Sequence, residues 1–168
     1  MGKKCIFLDR DGVINVERGD YTYLTKDFVL CEGVAETIEA LVEEGFIVVV
    51  VTNQAGISKK VYSTEDMTKC HNKLLAEVKG ITKIYYSPYH PDQTESLSRK
   101  PDSLMFEKAI ARFDIDPEQS WMIGDRERDL VPAKKLKIKT ILVGGGSSQF
   151  ADHQATNLLV AVKDFILT

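Results

Sequence analysis

A short apolar stretch of this chain runs straight into Asp9-Arg10-Asp11-Gly12, which sets two carboxylates two positions apart. A second apolar run ends in Thr52-Asn53-Gln54, a cationic pair stands at Arg99-Lys100 before Pro101, and a third run ends in Gly124-Asp125 with Asp129 close behind. Carboxylates that converge on one point repel, and holding Asp9, Asp11 and Asp125 ionised together calls for a hard divalent cation. Magnesium, which takes oxygen ligands, suits them. Such a cation beside Lys100 would neutralise a phosphoryl group well enough for a carboxylate to attack it. Asp9 then fits a nucleophile that forms an aspartyl phosphate. Asp11 fits the acid that protonates the leaving alcohol and later the base that activates water. Each piece alone is ordinary, since aspartates form turns, Thr-Asn favours strand exits and Arg-Lys is usually a solvated pair. Four separate segments, each supplying a residue type that phosphoryl transfer needs, make the combination specific.

For these residues to meet, the segments that carry them must be neighbouring strands. Apolar runs rich in β-branched residues at 4–8, 46–51, 81–86, 120–123 and 139–143 predict five strands. Helical periodicity at 34–44, 64–78, 103–113 and 160–166, with a shorter segment around 128–136 that contains Pro132, predicts the helices between them. Thr64 and Asp102-Ser103 mark helix starts, and Gly45 and Gly80 mark helix ends. Alternation of this kind predicts an α/β fold, a doubly wound, mainly parallel five-stranded sheet of Rossmann type. One domain spanning 1–168 is expected, with no large cap domain. In such a sheet ligands sit beyond the carboxyl ends of the strands, where all the residues named above fall. Two loops, 15–32 and 88–101, exceed what connection requires and are candidates for touching substrate. Gly144-Gly145-Gly146 lacks the Gly-Lys-Ser/Thr ending of a phosphate loop and reads as a turn at the rim. Trp121 is expected in the core, and His71 and His153 have no pattern around them.

The 22 basic and 25 acidic residues are interspersed, and a net charge of -3 produces no field that would draw nucleic acid or an anionic membrane. No apolar run approaches the roughly 20 residues that span a bilayer. The amino terminus reaches Asp9 too early for a secretory signal, and Ile6 stands where a myristoylation pattern needs Ser or Thr. Cys5, Cys31 and Cys70, odd in number and set mostly among apolar residues, read as free buried thiols. A cytoplasmic monomer is expected, with neither nucleic acid nor membrane as partner.

The motifs FLDRDGV, VVTN, the lysine of RKP and IGDRERD resemble those of the haloacid dehalogenase superfamily over residues 6–129. Within it, LDRDGVIN, VVVVTNQAGIS and SRKPDSLMFEKA look like the branch of histidinol-phosphate and heptose bisphosphate phosphatases, and more like the latter. The resemblance implies a magnesium-dependent phosphatase for a small phosphorylated sugar, heptose 1,7-bisphosphate, losing its C7 phosphate. It implies Asp9 as nucleophile, Asp11 as acid/base, Thr52 and Lys100 as phosphoryl stabilisers, and Asp9, Asp11 and Asp125 as magnesium ligands, Asp11 through its backbone carbonyl. It also implies that Glu17, Arg18, Gly19, Asp20, Asn53, Gln54, Arg99 and Arg126 contact substrate. One departure stands out. The branch commonly carries a structural zinc held by a Cys-Pro-His-His pattern and a Cys-x-Cys before Arg-Lys-Pro, whereas here the stretches read Ser87-Pro88-Tyr89-His90 and Ser96-Leu97-Ser98. Serine hydroxyls are poor zinc ligands, so no structural zinc is expected, and His90 is read as a loop or substrate residue.

Other functions leave different marks. Histidinol phosphate or another small metabolite is the nearest alternative substrate. A nucleic-acid 3'-phosphate would need a basic or aromatic track, and the basic residues near the site are few beyond Arg10, Arg18, Arg99, Lys100, Arg126 and Arg128. A phosphoacceptor signalling domain also clusters aspartates with Thr and Lys, but places its phosphorylated aspartate on a later strand; here the Asp-x-Asp pair lies on the first.

Overall fold

The structure is a computed structural model that describes residues 2–168. The sheet-forming segments are β1 (Cys5–Leu8), β2 (Ile47–Asn53), β3 (Ile81–Ser87), β4 (Trp121–Gly124), β5 (Lys139–Val143) and β6 (His153–Ala155). The helices are α1 (Val34–Glu43), α2 (Thr64–Glu77), α3 (Leu104–Phe113), α4 (Glu127–Lys135) and α5 (Leu158–Phe165). The strands form one parallel sheet in the order β3-β2-β1-β4-β5-β6.

Sheet and helices fit because the strands are apolar on both faces. In β1, Ile6 and Leu8 point into a core shared with Val34, Ile38 and Leu41 of α1, Leu74 of α2 and Leu158 and Val162 of α5. Cys5 and Phe7, one position out of phase, point the other way, into a core shared with Met105 and Phe106 of α3 and Leu130 of α4. The sheet is therefore wound on both sides, as the alternation of elements predicts.

The sixth strand corrects the expected five. The three residues His153-Gln154-Ala155 are too short and too polar to register as an apolar run, and the strand forms because its surroundings hold it. Asp152, just ahead of it, accepts hydrogen bonds from the amide (2.8 Å) and hydroxyl (3.1 Å) of Thr140 at the start of β5. Helix boundaries also move. α5 begins at Leu158, two residues earlier than periodicity places it, because the Asn157 side chain accepts from the Val160 amide at 3.0 Å and caps the helix. α4 runs through Pro132, which is buried and removes only its own amide from the helix. Ser63 caps α2 in a reciprocal pairing with Asp66.

Among the described residues no helix is long and apolar enough to cross a membrane. Cys5, Cys31 and Cys70 are all free, Cys5 and Cys70 being buried. Phe7 is fully buried with its ring centroid 5.0 Å from that of Phe106. Phe7→Ala is expected to lower the free energy of unfolding by about 3–5 kcal/mol in urea titrations. A change below about 1 kcal/mol would contradict this core.

Candidate active site

Winding outward from β1 in both directions opens a crevice at its carboxyl end, where β1 and β4 lie side by side. The Asp9 amide donates to the Ile123 carbonyl at 3.1 Å, tying the two strand ends together and bringing Asp9 next to Asp125. Thr52 and Asn53 close the parallel strand β2 on the other side of β1. Lys100 arrives from the long loop after β3. Asn53 docks it through the backbone, its Nδ2 donating to the Lys100 carbonyl and its Oδ1 accepting from the Lys100 amide, each at 3.0 Å. The buried ammonium then meets three oxygens: Asp9 Oδ1 at 2.8 Å, the Val51 carbonyl at 2.7 Å and Asp129 Oδ1 at 2.7 Å. Asp129, noted in the sequence only as a neighbour of Asp125, is fully buried, and its other oxygen accepts from the Arg126 amide at 3.1 Å at the start of α4. Its position three residues beyond the helix cap was the available signal.

The charges do not balance. Carboxylate oxygens of Asp9, Asp125 and Asp129 lie within 4.8 Å of one another, with Lys100 as the buried cation among them. Burial, then the charge of Asp129, pushes the Asp9 carboxyl up to about 8, with Asp125 adding to the effect and Lys100 opposing it. Burial and Asp129 likewise raise Asp125. Burial alone would lower Lys100, but Asp129 and Asp9 hold it above its ordinary value, so it stays an ammonium. Oxygen donors this close, with ionised forms this costly, fit a hard divalent cation. Glycine makes the crowding possible. A side chain on Gly12, whose φ is +85°, would come within 2.4 Å of Asp125 Oδ2, and one on Gly124 within 2.4 Å of the Asp129 Cβ.

Asp11 stands apart from that cluster, with its own donors. Oδ1 accepts from Arg10 at 2.8 Å and from Asn15 at 2.9 Å, and Oδ2 accepts from Gln54 Nε2 at 3.3 Å. Arg10, only 1% exposed, also donates to the Thr22 carbonyl at 2.8 Å and lies 3.4 Å from His71 Nε2. Gln54 donates in addition to Thr52 Oγ1 at 2.9 Å. Sequence reasoning counted Arg10 among the basic residues near the site without giving it a partner, and missed Asn15 and His71, the latter because it approaches from the middle of α2 and nothing local marks the contact.

The cavity over these groups, about 350 Å³, is lined by Glu17, Gly19, Asp20 and Tyr21 from the first long loop, by Asn53 and Gln54, and by Arg126 and Arg128 from the start of α4. Two other expected substrate residues lie outside that lining. Arg18 pairs with Asp27 at 3.3 Å, and Arg99 donates to the Tyr89 carbonyl at 3.1 Å. Glu17 accepts from the Gly19 amide at 2.8 Å, folding the loop tip on itself. In the loop after β3 the three serines at the branch's zinc positions meet each other. Ser98 Oγ lies 3.0 Å from Ser87 Oγ and 2.8 Å from Ser96 Oγ, forming a hydroxyl chain that joins the end of β3 to the residues before Arg99.

Burial, followed by the charge of Arg10, lowers His71 from 6.5 to about 4. The folded protein therefore keeps this imidazole neutral, while the unfolded chain takes up its proton below about 6.5. Stability from this source is present above pH 6.5 and is lost as pH falls towards 4, by about 3 kcal/mol in all. His71→Gln should flatten that part of the pH–stability curve, and an unchanged curve in urea unfolding between pH 4 and 7 would refute the assignment.

The family model described as HAD-hydrolase-like matches residues 97–165. A D-glycero-beta-D-manno-heptose-1,7-bisphosphate 7-phosphatase of Haemophilus ducreyi is 38% identical over 165 residues, covering 92% of this chain and 90% of its own. A D-glycero-D-manno-heptose-1,7-bisphosphate 7-phosphatase of Chlorobaculum tepidum is 35% identical, covering 98% and 94%. The D,D-heptose 1,7-bisphosphate phosphatase from B. bronchiseptica, complexed with magnesium and phosphate, superposes with a TM-score of 0.87 at 26% identity over 98% of both chains. Likeness of this extent, reaching across both halves of the sheet and every strand end that carries the site, leaves one assignment: the chain belongs to the haloacid dehalogenase (HAD) family of hydrolases.

Proposed function

We propose that residues 1–168 act as one magnesium-dependent phosphatase domain that removes the C7 phosphate of D-glycero-D-manno-heptose 1,7-bisphosphate. The observation that carries the substrate is the identity of 35–38% to phosphatases named for that sugar, over nearly the whole of both chains. The cavity agrees with it. Glu17 and Asp20 share the lining of about 350 Å³ with Arg126 and Arg128, which sets acceptors for sugar hydroxyls and cations for a second phosphate in one cavity.

In the reaction, one Asp9 oxygen attacks phosphorus as the bond to the sugar oxygen breaks, and Asp11 gives its proton to that oxygen. Asp11, now a carboxylate, takes a proton from water as the water attacks the aspartyl phosphate, releasing inorganic phosphate and restoring both residues. Lys100 fixes the Asp9 carboxylate through its 2.8 Å hydrogen bond and sets a buried positive charge beside the transferring group. Thr52 Oγ1 accepts from Gln54, which leaves its own hydrogen for a phosphoryl oxygen. Asp9 and Asp125, with the backbone carbonyl of Asp11, would hold the magnesium. Bound there, it would supply positive charge at the phosphoryl oxygens and offset the burial and the repulsion that together raise Asp9 and Asp125.

The test is phosphate release from a panel of phosphorylated metabolites that includes both anomers of heptose 1,7-bisphosphate and histidinol phosphate, with magnesium and with chelator. A magnesium-dependent preference for a heptose anomer is expected; comparable rates across the panel would sink the substrate. Asp9→Asn should cut turnover roughly a thousandfold or more while preserving the melting temperature, and appreciable residual activity would remove Asp9 as nucleophile. Magnesium should raise the melting temperature of the native protein, and Asp125→Asn should abolish that rise. An equal rise in the variant would place the ion elsewhere.

A further inference from the structure

The wall of the cavity that holds Asp11 also contains a largely buried tyrosine that the reaction above does not use. Tyr62, 6% exposed, sits in the turn between β2 and α2. Its hydroxyl donates to Gln54 Oε1 at 2.6 Å. Gln54 is itself 2% exposed, and its amide nitrogen donates to Thr52 Oγ1 at 2.9 Å and to Asp11 Oδ2 at 3.3 Å. A primary amide offers one acceptor and two donors in fixed directions. With Tyr62 on the acceptor, both donors must face Thr52 and Asp11. The opposite orientation would turn the amide oxygen towards the Asp11 carboxylate.

The contact matters because the two oxygens of Asp11 are held unequally. Oδ1 takes both Arg10 and Asn15, whereas Oδ2 has Gln54 as its side-chain donor. Gln54 therefore sets the rotation of the carboxylate about its anchored oxygen, and Tyr62 sets Gln54. The ring is fixed in turn. Tyr23 stacks on it at 5.1 Å and 7°, and Tyr21, which lines the cavity, meets it edge-on at 5.8 Å. The ring fits only because residue 56 is glycine, since a Cβ there would come within 2.1 Å of Tyr62 Cε1.

We propose that Tyr62 is a positioning residue for the acid/base carboxylate, acting through Gln54 and braced by Tyr21 and Tyr23 of the substrate loop. The inference rests on Asp11 being the acid, and the test separates the two claims. Proton donation matters for an alkyl phosphate, whose leaving alkoxide is strongly basic, and little for 4-nitrophenyl phosphate, whose leaving group departs as a stable anion. Tyr62→Phe keeps the ring and removes the hydroxyl. In the magnesium-loaded enzyme it is expected to lower kcat roughly tenfold on the alkyl phosphate turned over fastest in the panel above, a fraction of the ~100- to 10,000-fold that a placed acid contributes. KM should stay within about twofold, as should the rate on 4-nitrophenyl phosphate, because Asp9 and Lys100 are unaltered, Gln54 remains beside Thr52 and the ring keeps its place in the cavity wall. Gln54→Leu also unties Thr52 and alters the cavity wall, so it should slow both esters, the alkyl phosphate more; in that background Tyr62→Phe should cost the alkyl phosphate less than about twofold further, as for residues acting in one chain. Asp11→Asn should show the same selectivity more strongly. If Asp11→Asn is selective but Tyr62→Phe loses both esters equally, or neither, or still costs its full tenfold in the Gln54→Leu background, the role of Tyr62 is overturned while the acid assignment stands. If Asp11→Asn itself loses both equally, the acid assignment falls and the role of Tyr62 with it.

Discussion

The site depends on one arrangement of buried charge: an ammonium held between two carboxylates, with a third carboxylate at the edge. Lys100 reaches Asp9 and Asp129 at 2.8 and 2.7 Å with almost no exposure to water. A buried ion pair is a poor source of stability by itself, because removing both partners from water costs as much as their attraction returns. What this one secures is geometry. Lys100 comes from the loop after β3, Asp9 from β1 and Asp129 from α4, so the contact can form only when the central strands and the helix after β4 are all in register. Burial first, and the repulsion among the three carboxylates second, raise Asp9 and Asp125, the electrostatic counterpart of a site that fits a cation.

Much of this was legible because parallel strands announce themselves. Apolar runs such as Val48 to Val51 have to be buried on both faces, and the residues that end those runs then fall on one edge of the sheet. Asp9, Thr52 and Asp125 could be read in this way with no knowledge of their neighbours. The expected strand count fell short because β6 has no hydrophobic signature and exists through the hold of Asp152 on Thr140. Contacts between loops were equally hidden. Nothing near Tyr62 in sequence says that its hydroxyl meets Gln54, and nothing near His71 says that it stands beside Arg10. Such pairings are fixed only once the turns have closed.

The serine chain across the second long loop illustrates a different physics. Thiolates and imidazoles at these positions would gather a metal, and the energy of binding would shape the loop. Hydroxyls at Ser87, Ser96 and Ser98 make a weaker, directional link that needs no ion, and it joins the same two points, the end of β3 and the residues leading to Arg99. Arg99 then rests on the Tyr89 carbonyl, so the loop's own backbone orients the first cation of the pair.

The second cation of that pair is held quite differently. Asn53 grips Lys100 by its main-chain amide and carbonyl, two groups present whatever side chains the rest of the loop displays. Residues 88–98 are therefore free to drift in sequence, and to acquire or lose a metal along the way, without loosening Lys100. The cavity is walled instead by the other long loop and the start of α4, so that separation leaves both the cavity and the buried ion pair on one constant frame while the second loop varies as an independent surface.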